Sequence, residues 1–149
     1  MNRREQGSIS ALARWRAFGE ARAMDRFRHE SFEMHQAAAR VDEAGARLED
    51  VSQSRSALLR HDDIDLPRLQ ITAQIEHATA AHLRARQDEL TAAQQLRNAA
   101  QAVYVAARAD TRVVDARGER LATAERDRRE KTLFDRMADL HMQSRRASQ

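Results

Sequence analysis

The chain is 149 residues long, 42% hydrophobic and 33% charged, with aromatics at 4% and a net charge of +3. Large apolar residues are too sparse for an ordinary compact core, and the Ala-, Glu-, Arg-, Gln- and Leu-rich mixture belongs to long helices and coiled coils. The absence of cysteine excludes disulfides and thiolate metal sites, and no apolar run approaches the ~20 residues of a membrane span or leads a signal peptide, so a cytoplasmic protein without membrane insertion is expected.

In chain order, residues 1–7 are polar, and Ser8 or Ser10 is the expected N-cap of a first helix running from about 8 to 60. Phe27, Met34, Val41 and Leu48 recur every seven residues in it, and Met24, Ala38, Gly45 and Leu59 fall on the column three residues earlier, completed by Ser31 and Ser52. A 3-4 spacing held over four heptads is a coiled-coil seam. Gly45 on that seam predicts close approach of two helix backbones, since glycine inside an isolated helix costs ~1 kcal/mol.

The helical pattern stops once, at Arg60-His61-Asp62-Asp63-Ile64-Asp65-Leu66-Pro67, which holds the only proline. Residues 61–65 are the expected turn. Asp65 is the expected N-cap of the second helix, Pro67 falls in its first turn, where its missing N–H costs nothing, and Arg60 and His61 suit the negative end of the first helix. The second helix is expected from about 66 to 145. It carries Leu69, Ile75, Leu83, Leu90 and Leu96, then the column Ala93, Ala100, Ala107, Val114 and Leu121, flanked by Val103, Tyr104 and Val113.

Two helices joined by so short a connection run antiparallel, so the expected fold class is all-α, a long two-helix antiparallel coiled-coil hairpin with an extended second helix, residues 1–149 forming one elongated unit. Pairing residue 60 with 67 sets Ile9 opposite Gly118. At ~1.5 Å per residue the shared shaft is about 75–80 Å, and the residues beyond Gly118 overhang by about 40 Å. The overhang opens with Glu125-Arg126-Asp127-Arg128-Arg129-Glu130-Lys131-Thr132, polar on every face, and continues with Leu133, Phe134, Met137, Ala138, Leu140 and Met142, an amphipathic patch with no partner in this register. Residues 1–30 and 112–146 each carry a net +3 and residues 31–111 a net −3, which predicts a basic open end and an acidic turn end.

No pattern announces a reaction. The four glycines are isolated, so there is no phosphate-binding loop, and no two histidines have the i, i+4 spacing that aims two imidazoles at one zinc. Asp62, Asp63 and Asp65 lack the alternating ligands and closing Glu of a calcium loop and read as a solvated turn plus a cap. Paired carboxylates such as Glu49-Asp50 have no pocket to shift their pKa values. Arginines interleave with nearly equal numbers of acids, which disfavours a nucleic-acid partner. The expectation is therefore a non-enzyme with no catalytic residues, no metal and no cofactor. Trp15 and Phe18 lie off the heptad columns, which leaves an exposed contact surface or a wider local core; with the 133–142 patch they make the open end the candidate for recognition.

With its two long charged helices, its turn less than halfway along, its lack of cysteine and a tail such as Phe134-Asp135-Arg136-Met137, the chain resembles the FliJ/YscO family. These are cytoplasmic coiled-coil stalk proteins of flagellar and virulence-associated type III secretion, and the Arg/Ala-rich wording is similar to members from plant-associated bacteria. The resemblance implies a stalk linking a hexameric secretion ATPase to an export-gate protein and escorting export chaperones. By position it assigns Trp15, Phe18, Leu133, Phe134, Met137 and Leu140 to the ATPase end. The alternative is a generic oligomeric coiled-coil scaffold, or a secretion chaperone, whose overhang self-associates.

Overall fold

A computed structural model describes the backbone of residues 3–60 and 65–147 and the side chains of residues 7–60 and 65–144. The chain is all-α: helix α1 spans Arg3–Leu59 and helix α2 spans Leu66–Ala147, packed against each other as a helical hairpin. α2, at 82 residues, is far longer than α1 at 57. The chain divides into two compact units, one formed by Ala23–Tyr104 and the other by Met1–Arg22 with Val105–Gln149.

The start of α2 agrees with the capping expectation. The Arg68 N–H donates to Asp65 Oδ1 at 3.1 Å and the Leu69 N–H to the Asp65 carbonyl at 2.9 Å, so Asp65 satisfies donors that the first turn leaves open. Pro67 sits within that turn. The expected turn residues Asp62 and Asp63, with His61, lie outside the described residues. α1 differs at both ends. It begins at Arg3 rather than near residue 8, and Ser10 is not a cap, since its hydroxyl donates to the Gly7 carbonyl at 3.1 Å from within the helix. At the other end α1 stops at Leu59 with no basic residue in its last turn; Arg60 comes next, its N–H donating to the Ala57 carbonyl at 3.1 Å in a tightened final turn.

In the unit formed by Ala23–Tyr104 the two helices run antiparallel. Arg55 pairs with Glu76 at 2.6 Å, Arg40 with Glu89 at 3.9 Å, and Phe27 stacks on Tyr104 with ring centroids 6.1 Å apart, so partners descend α2 as α1 is climbed. Arg97 makes the other ring contact, its guanidinium 5.3 Å from the Phe27 centroid. Phe27, Met34, Val41 and Leu48 form a half-buried column as expected. The deepest residues beside it are Ala37 and Ala44, each 2% exposed, with Ala100 of α2 at 5%. The expected column Met24, Ser31, Ala38, Gly45 and Ser52 is half-buried on one side of Phe27–Leu48, with Leu59 exposed, and Ala37 and Ala44 form the deeper flank on the other side. Gly45 does not mark a close approach: a Cβ built on it meets nothing within 4 Å.

The buried stripe of α2 keeps the heptad period but takes polar residues where only apolar ones had been sought. Leu69, Leu83 and Leu90 are half-buried, whereas Ile75, Leu96 and Val103 are exposed, and Glu76, Arg86 and Arg97 stand in the seam. Glu76 is tolerated there because Arg55 pairs with it, while the Arg86 guanidinium donates to Glu89 and that of Arg97 lies over the Phe27 ring. Glu89, on the exposed flank, has its carboxyl held below the ordinary value by the hydrogen bond from Arg86 and, more weakly, by the charge of Arg40.

In the other unit the predicted register holds: a Cβ on Gly118 would lie 3.9 Å from Ile9 Cγ2, and Arg16 pairs with Asp110 at 2.7 Å. Ala107, Val114 and Leu121 are half-buried, as the seven-residue column requires, while Val113 is exposed. Thr111 is 9% exposed, its hydroxyl satisfied by donation to the Ala107 carbonyl at 3.0 Å. Every described side chain from Arg126 to Ser144 is exposed. The unpartnered part of α2 therefore begins at Arg126, not after Gly118, because α1 starts at Arg3 and reaches further along α2. Among the described residues no large side chain is fully buried in either unit, so the helices are held by many shallow contacts rather than by a deep core.

Candidate partner-binding surfaces

The last five turns of α2 carry the first surface. With ~100° between successive residues, Leu133, Phe134, Met137 and Leu140 share an arc of about 120°, with His141 inside it and Asp135 and Asp139 on the far side. These four apolar side chains are 58–72% exposed. Met142 is equally open but points about 140° from the centre of that arc, so it is not part of the same face. No described residue covers the patch. An amphipathic helix of this kind is suited to insertion into a hydrophobic groove of another protein.

The second surface is a shallow groove of about 200 Å³ lined by Trp15, Arg16, Phe18, Gly19 and Arg22 of α1 and Ala107 of α2. Trp15 and Phe18 are 64% and 62% exposed, so they do not widen the local core. Each ring is held by a cation: the Arg16 guanidinium lies 5.0 Å from the Trp15 centroid and that of Arg22 6.0 Å from Phe18. Arg16 is fixed in turn by Asp110. These arginines and Asp110 were not singled out from sequence, although Arg at i+1 and i+4 from an aromatic on a helix was a readable signal. The structure brings Trp15 and Phe18 together but does not join them to the C-terminal patch, because Leu133 stands twenty-six residues beyond Ala107 along α2, about 39 Å.

Among the described residues no three His, Asp or Glu side chains gather where a metal ion would be held, and no helix is long and apolar enough to cross a membrane. Comparison with protein-family models, curated proteins and solved structures returns no match to this chain.

Proposed function

We propose that the chain is a non-catalytic docking subunit, and specifically a cytoplasmic stalk component of a type III protein export apparatus that links a hexameric secretion ATPase to an export-gate protein and escorts export chaperones. The observation that carries the reading is the open face of Leu133, Phe134, Met137 and Leu140 on a helix that continues past its own partner. Burying a large apolar side chain contributes about 1.5–3 kcal/mol, so four of them supply about 6–12 kcal/mol. Association itself costs at least about 4 kcal/mol, which leaves at most about 8 kcal/mol, a micromolar contact at its strongest. The Trp15–Phe18 groove supplies a second, aromatic contact on the same unit.

The test is the double variant Leu133→Asp, Met137→Asp in a pull-down with the hexameric secretion ATPase. Helix content is expected to stay unchanged, because neither residue packs within the chain, while ATPase binding is lost. Retained binding would overturn the docking role of the patch. Loss of self-association with ATPase binding intact would favour the oligomeric-scaffold reading, in which this face meets copies of itself.

A further inference from the structure

The groove on the unit formed by Met1–Arg22 with Val105–Gln149 is chemically one-sided. Its lining of Trp15, Arg16, Phe18, Gly19, Arg22 and Ala107 holds two guanidinium groups and an indole N–H, all hydrogen-bond donors, and no side chain that accepts. Arg16 is already engaged, its Nη1 donating to Asp110 Oδ2 at 2.7 Å. Arg22 is not. Its guanidinium lies 6.0 Å from the Phe18 centroid, and no described carboxylate comes within ion-pair distance of it. A guanidinium stacked on a ring keeps its N–H fork at the edge, in the geometry that binds a carboxylate through two hydrogen bonds. The Trp15 indole N–H likewise has no acceptor among the described residues.

Apolar surface stands beside these donors. The rings of Trp15 and Phe18 are largely exposed, and Gly19 adds no side chain next to them: a Cβ there would meet nothing within 4 Å, so the hollow is open at that point. Trp and Arg are also the side chains that most often carry the binding energy of protein interfaces.

We propose that this groove takes an acidic peptide segment of a partner protein, one apolar side chain entering the hollow and a carboxylate pairing with Arg22. Charge selects that occupant. The unit that holds the groove has sixteen basic and ten acidic side chains, a net +6, whereas Ala23–Tyr104 carries a net −3, so an acidic segment is drawn to the one and repelled by the other. Size selects a peptide over a nucleic acid, which the same charge would attract. The hollow of about 200 Å³ is smaller than the about 300–1,000 Å³ of sites that enclose a drug-sized ligand, and a guanidinium already lies over each ring, which leaves room for a side chain rather than for a run of stacked bases. The inference rests on the reading of the chain as a docking subunit, whose second contact it specifies, and not on the identity of the ATPase.

Trp15 is the only tryptophan, so its fluorescence reports on the groove directly. The full chain is titrated with the peptide acetyl-Glu-Asp-Leu-Asp-Glu-amide, which has no aromatic residue to interfere, with its counterpart in which Gln and Asn replace the acids, and with a short oligothymidylate. A saturable change is expected with the acidic peptide, weakening as salt is raised, and none with the amide counterpart. Arg22→Gln is expected to weaken binding about tenfold or more. Gly19→Leu, which fills the hollow, is expected to abolish it. Both variants should keep their helix content, because both positions are exposed. No saturable change with the acidic peptide, equal binding of the amide counterpart, tighter binding of oligothymidylate, or an Arg22→Gln variant that binds as the unaltered chain does would overturn the proposal. The ATPase is absent from this titration, so a bound peptide with no ATPase captured in the pull-down strikes the stalk reading alone, and a captured ATPase with no bound peptide strikes the groove alone.

Discussion

Replacing the glycines of the two helices by alanine is expected to stabilise the protein, and position 45 is the most informative of them. A Cβ at Gly45 or Gly19 meets nothing within 4 Å, and at Gly118 it meets only Ile9 Cγ2 at 3.9 Å, an ordinary van der Waals contact. None of the described glycines has a positive φ, so alanine enters each site without backbone strain. Glycine in a helix interior costs about 0.8–1.0 kcal/mol relative to alanine. Each replacement should therefore raise the melting temperature by about 2–4 °C for a chain of this length, and the three together, being far apart, should add. Thermal unfolding monitored by circular dichroism at one fixed protein concentration measures this. Had Gly45 been placed for close helix approach, Gly45→Ala would force the helices apart. A lowered melting temperature for that variant alone would refute the seam assigned to Ala37 and Ala44.

Ala44→Leu overfills the deepest part of the seam and should cost about 1–3 kcal/mol, whereas Ala46→Leu, on the exposed side, should change stability by less than about 0.5 kcal/mol in urea unfolding. Phe27→Ala, which removes both the Tyr104 stack and the Arg97 cover, should cost about 2 kcal/mol, while exposed Phe32→Ala should be near neutral in the same assay. Glu89 should titrate below ordinary glutamates by carbon NMR, and Arg86→Gln should return it toward them. Its folded pKa is depressed, so whatever stability it lends is present above the unfolded pKa and is lost as pH falls through the folded one.

The columns that could be read correctly from sequence were those marked by large residues or by a long strict repeat: Phe27 to Leu48 in α1, and Ala93 to Leu121 in α2. The deeper flank at Ala37 and Ala44 was not, because Ala37-Ala38 and Ala44-Gly45 are adjacent pairs of small residues and size alone does not say which of each pair lies deeper. Ile75 and Leu96 were drawn into the seam by their size alone, though their spacing from Leu69, Leu83 and Leu90 puts them on another column. Glu76, Arg86, Arg97 and Thr111 were overlooked for the converse reason, since a polar side chain at a seam position is legible only once its partner, Arg55 for Glu76 or the Phe27 ring for Arg97, is placed beside it. The capping role of Asp65 was legible because it is local. The early start of α1 was not, because a serine inside a helix, bonding back to a carbonyl as Ser10 does, resembles a serine that begins one. At the candidate sites, the exposed C-terminal face came directly from register and helix length, whereas the arginine supports of Trp15 and Phe18 depend on side-chain placement.

Hydrogen exchange read by mass spectrometry, with and without the hexameric secretion ATPase, tests the docking proposal most directly. Residues 126–144 have no tertiary cover and should exchange quickly in the free chain. On binding, protection is expected to appear over peptides containing Leu133–Leu140 and to leave those of the Ala23–Tyr104 unit unchanged. Protection confined to Ala23–Tyr104, or no change over residues 126–144 at saturating ATPase, would contradict the account.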